Sequence, residues 1–68
     1  MDKRDLDVIE DALKNKHRDE TFERALGRAI RKDSGDFKRY IRIISEVRDF
    51  AQKKRVNIVE AAQSMVEV

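Results

Sequence analysis

Cysteine is missing from this chain of 68 residues, so neither a disulfide nor a thiolate zinc centre can brace it. Histidine occurs once, as His17, which rules out an imidazole cluster within one protomer. Proline is also missing, and glycine is confined to Gly27 and Gly35. That poverty of turn formers favours long helices over a turn-rich β fold. No apolar run approaches the ~20 residues of a membrane span. The opening residues MDKRDLDV are acidic and polar, where a secretory leader would be apolar. These features lead us to expect a cytoplasmic protein without a membrane segment.

What remains is charge and aliphatic side chains. Charged residues make up 44% and apolar residues 40%, and the apolar ones recur at helical spacing, which marks a folded chain rather than a disordered one. The length suits one domain, 1–68, near the lower size at which a single core outweighs chain entropy. Domains this small usually add a disulfide, a metal or a second chain. With the first two excluded, self-association is the expected support.

The densest apolar stretch is Asp36 to Ala51. Between Phe37 and Ala51 eight of fifteen residues are apolar, and on a helix they spread over about half the circumference. Such a helix belongs at the centre, touching more than one neighbour. Tyr40 to Ile44 is rich in β-branched residues, but the apolar pattern continues at helical spacing through Val47, Phe50 and Ala51. An all-α fold is expected, with helices near 4–15, 20–33, 36–53 and 58–67.

The first of these carries the stripe Leu6, Ile9, Ala12, Leu13 and is capped by Asp2 or Asp5. Asn15, which tolerates the left-handed conformation, is expected to close it. The acidic group Asp5, Asp7, Glu10 and Asp11 suits the positive end of that helix dipole better than a cation site. The second, with Phe22, Ala25, Leu26, Ala29 and Ile30 at unbroken helical spacing, starts from Asp19 or Thr21. Gly27 falls away from that stripe with no structural reason for its presence. Asp33, Ser34, Gly35 and Asp36 form the clearest break. The last helix begins at an Asn57-x-x-Glu60 version of the capping box, and its wide apolar face must dock on the bundle or on another protomer.

Catalytic chemistry has no foothold in these residues. Ser34, Ser45 and Ser64 lack an evident base, and no glycine-rich loop precedes a helix in the phosphate-binding manner. No enzyme activity, metal or cofactor is expected. Charge is the more informative signal, since residues 24–55 contain eleven Lys and Arg against four Asp and Glu. Arg24, Arg28 and Arg31 form a column on the second helix, with only Glu20 placed for an i,i+4 pair, to Arg24. Lys38, Arg39 and Arg42 open the third. The expected role is a small non-catalytic interaction module, self-associating and docking on another protein through this basic face. Ile43, Phe50 and Met65 are the candidate residues for self-association. The alternative is a nucleic-acid-binding regulator in which helices two and three act like a helix-turn-helix. Glu46 and Asp49 on the polar face of helix three count against that alternative.

Overall fold

Each of the four helices begins at a side chain that caps its free N–H groups. The computed structural model describes residues 2–67, with Met1 and Val68 of the expected 1–68 domain outside them. It contains α1 (Lys3–Asn15), α2 (Phe22–Asp33), α3 (Phe37–Lys54) and α4 (Ile58–Val66). Asp2 accepts from the Asp5 N–H, Thr21 from Arg24, Asp36 from Lys38 and Arg39, and Asn57 from Glu60. At Asn57 the reciprocal half of the box takes another form, because its amide donates to the Glu60 carboxylate at 2.9 Å.

The exits differ. α3 ends on Arg55 in the left-handed region (φ 56°, ψ 46°). The Val56 N–H there bonds to the Ala51 carbonyl and the Arg55 N–H to that of Gln52, the paired bonds of a Schellman motif. α2 gives way to α3 through Gly35 at φ 69°, whose N–H bonds to the Ile30 carbonyl. Asn15 does not take the left-handed conformation expected of it. α1 leaves through Lys16 in extended geometry, and the Asn15 amide instead donates back to the Asp11 carboxylate and carbonyl.

The helices form a ring in which each packs on its sequence neighbours and α1 closes against α4. At the centre lie Val8, Ile9 and Ala12 of α1, Phe22, Ala25, Leu26, Ala29 and Ile30 of α2, Ile43, Ile44 and Val47 of α3, and Ala61 and Ala62 of α4. The α2 stripe read from the sequence is therefore the buried one without exception. On α1 the buried line includes Val8, which the expected stripe left out, while Leu6 and Leu13 are half-buried. The face of α4 rests on α1 and α3 of its own chain. The paired alanines Ala61 and Ala62 let it lie close, and Met65 and Val66 pack at the margin of the core.

α3 reverses one expectation. Ile43 was a candidate for a protomer contact, yet it is fully buried inside its own chain, whereas Phe37 is 70% and Ile41 46% exposed. The apolar arc of α3 is wider than α2 and α4 together can cover. They take the part containing Ile43, Ile44 and Val47 and leave the Phe37–Ile41 edge outside. Phe50 is half-buried against the core with Lys54 Nζ 5.9 Å above its ring.

Candidate functional site

Six basic residues were singled out from the sequence, and the fold divides them. Arg39 lies across the diagonal of the ring. Its Nε donates to Asp5 Oδ1 at 3.0 Å, and Nη1 pairs with Asp33. The side chain is only 11% exposed, and these two carboxylates, Asp33 foremost, raise its pKa above the ordinary arginine value. Arg42 Nη2 lies 3.1 Å from Asp5 Oδ2. Asp5 itself is 3% exposed, so α1 and α3 are joined through a buried carboxylate between two guanidinium groups. Arg28 is also engaged, donating to Glu20 Oε2 at 2.7 Å and to the Asn15 carbonyl at 2.6 Å.

Glu20 thus pairs with Arg28 and not with Arg24, the i,i+4 partner expected from the sequence. The reason is local, because α2 starts at Phe22 behind the Thr21 cap, which leaves Glu20 in the connection. There it accepts the His17 N–H at 3.0 Å, and that hydrogen bond, followed by Arg28, draws its pKa below the usual carboxylate value.

Arg24, Arg31 and Lys38 remain. Among the described residues none of the three has a side-chain hydrogen bond or an ion pair. Arg24 and Arg31 flank Gly27 on α2 and, with Ile30, face Phe37 and Tyr40 of α3 across a groove of about 330 Å³. Tyr40 forms the inner wall. Its hydroxyl donates to the Glu23 carbonyl at 3.2 Å, and burial, with Glu23 nearby, raises its pKa. Phe37 stacks on Tyr40 with ring centroids 6.0 Å apart and presents its other face to solvent. Glu23, the acidic residue on this side of α2, is held by Arg48 at 3.5 Å.

Gly27 now acquires a location. A Cβ built there would meet only Tyr40 Cε1, at 3.7 Å, an ordinary contact. Packing within the chain therefore has room for alanine, and the helix carries a glycine that costs it about 1 kcal/mol relative to alanine. The effect of the missing side chain is a lower floor for the groove.

Sequence reading found the arginine column and missed the groove. It counted Phe37 in the apolar arc of the third helix without assigning it an edge, and found no structural reason for Gly27. A usable signal was present in the i,i+3 pair Phe37 and Tyr40, one turn into the helix after a short glycine turn, opposite a glycine flanked by arginines. Among the described residues no group of three His, Cys, Asp or Glu side chains is placed to hold a metal ion, and no helix is long and apolar enough to cross a membrane. Compared with protein-family models, curated proteins and solved structures, the chain matches none.

Proposed function

We propose that this chain is a non-catalytic interaction module of the cytoplasm that docks on another protein through the face shared by α2 and α3. The observation that carries the reading is the coincidence, on that face, of uncovered aromatic and aliphatic surface with basic side chains that have no internal partner. Among the described residues Phe37 and Ile41 are the exposed large apolar ones, and Arg24 and Arg31 share the groove with Phe37. Covering a Phe side chain is worth about 2 kcal/mol. An apolar centre with arginines around it is the usual anatomy of a protein contact.

Nucleic acid is the second reading, favoured by the nearness of arginine to an aromatic ring open to stacking. It has less support. Arg39 and Arg42 are drawn into the Asp5 pairing, so the start of α3 offers Lys38 alone as an unpaired cation. α3 also contributes Ile43, Ile44 and Val47 to the core, which holds it away from a groove of DNA. Self-association is supported less than docking on a different protein. An isologous contact through Phe37 would bring the unpaired arginines of two copies together, and like charges across an interface are costly.

Titration with labelled duplex and single-stranded DNA and RNA at low and moderate salt tests the choice. Protein docking predicts only weak binding. Tight binding that falls steeply with salt and disappears in an Arg24→Ala, Arg31→Ala variant with an unchanged melting curve would replace it with the nucleic-acid reading. Arg28 stays intact in that variant because its loss would unpair Glu20.

A further inference from the structure

The occupant of the groove can be described by its chemistry. We infer that it is an acidic segment of a partner protein, with one bulky apolar side chain seated over Gly27 and carboxylates on either side meeting Arg24 and Arg31. The inference rests on the docking reading above and adds the identity of what docks.

Size and charge together set these terms. At about 330 Å³ the groove lies at the small end of ligand pockets, suited to one large side chain and not to an extended surface. Its apolar part is formed by Ile30, Phe37 and Tyr40, and its floor by the backbone of Gly27, where the partner's chain can approach closely. Arg24 and Arg31 are seven residues apart on α2, about 10.5 Å along the axis. Both are free of internal carboxylates, while the neighbouring Arg28 and Arg48 are held by Glu20 and Glu23. A cation already paired gains little from a second carboxylate, whereas an unpaired guanidinium offers a full fork of donors. The complementary segment therefore bears acidic residues about seven positions apart if helical, or about three apart if extended, with the apolar anchor between them.

Arg24 and Arg31 also border a depression of about 560 Å³ on their other side, lined by His17, Asp19 and the paired Glu20 and Arg28, with no large apolar side chain. Asp19 there disfavours a carboxylate, which directs the acidic partner to the Gly27 side.

Selection of displayed random peptides against the full chain tests this. Peptides of about 16 residues are long enough for about four helical turns, and an Arg24→Glu, Arg31→Glu chain is the counter-target. The expected consensus is an aromatic or large aliphatic residue between two acidic ones. A synthetic peptide of that consensus should bind at least about tenfold more weakly to the charge-reversed chain. Gly27→Ala should weaken binding while raising the melting temperature, and Gly27→Gln should abolish binding with the fold retained. A purely structural glycine would not separate stability from binding in this way.

A consensus without acidic residues, or binding indifferent to charge reversal, would overturn this inference and leave the docking reading standing. Failure to enrich any peptide over the counter-target would also overturn it. Salt-steep binding of single-stranded RNA or DNA, lost in the same variants, would overturn both.

Discussion

Asp5 is the residue whose removal should cost most for its size. It is a carboxylate inside the ring, 3% exposed, and its loss leaves the buried Arg39 with Asp33 as its one carboxylate partner. Breaking such a pair typically costs about 3 kcal/mol or more. Asp5→Asn should therefore lower stability by about 3 kcal/mol, while Arg42→Ala, at a side chain 53% exposed, should cost less than about 1 kcal/mol. Urea unfolding of the two variants checks the order. This pairing was not legible along the chain. Asp5 looked like a cap or a complement to the helix dipole, since its partners lie 34 and 37 positions away and no local pattern connects them.

Two other carboxylates link the fold to pH. The Asp5 N–H, with Arg42 and Arg39 adding, lowers the pKa of Asp2, and the His17 N–H does the same for Glu20. A depressed folded value contributes stability that is present at neutral pH and is lost as pH falls through and below the usual carboxylate range. The melting temperature should decline on acidification in that window. An Asp2→Asn, Glu20→Gln variant should show a shallower decline in thermal melts from pH 7 to pH 3.

At the scale of elements, helix ends make opposite predictions at two turns. Arg55 adopts the left-handed region at φ 56°, which costs a side-chain-bearing residue about 1 kcal/mol. Arg55→Gly should stabilise the chain by up to that amount. Gly35 adopts φ 69° with open space around it, so Gly35→Ala should cost about 1 kcal/mol through backbone conformation alone. Measured unfolding free energies moving in the same direction for both would refute this account of the turns.

All four helices were legible, because their apolar periodicity and caps are local properties. α2 was read most completely, although its start lies two residues later than expected. The face of α3 was not. An apolar arc over half a helix shows that much of it is buried but does not say which edge the neighbours leave uncovered. That depends on how α2 and α4 approach, which no spacing within α3 encodes. Ile43, expected at a protomer contact, is buried for this reason, and Phe37 is left outside.

For the whole molecule, the four helices of one chain close a ring around the buried core. α4, whose apolar face was expected to dock on the bundle or on another protomer, rests on α1 and α3, with Ala61 and Ala62 fully buried. On the docking reading, in which the unpaired arginines of two copies repel one another, sedimentation equilibrium at tens of micromolar should report a monomer. What the ring leaves outside is the Phe37–Ile41 edge beside Arg24 and Arg31, and the central claim is that another protein covers it.

The most direct measurement places a photo-crosslinking amino acid at position 37, on a side chain that the core does not use, and a control at Gln63 on the exposed side of α4. Both chains are irradiated in the native cell. The account predicts that position 37, and not position 63, yields an adduct with a discrete protein. Mass spectrometry should place the linked residue in a segment with acidic residues flanking an apolar one, and the adduct should disappear when Arg24 and Arg31 are reversed to Glu. Adducts at position 37 consisting of the chain itself or of RNA, or adducts equal at the two positions, would contradict it.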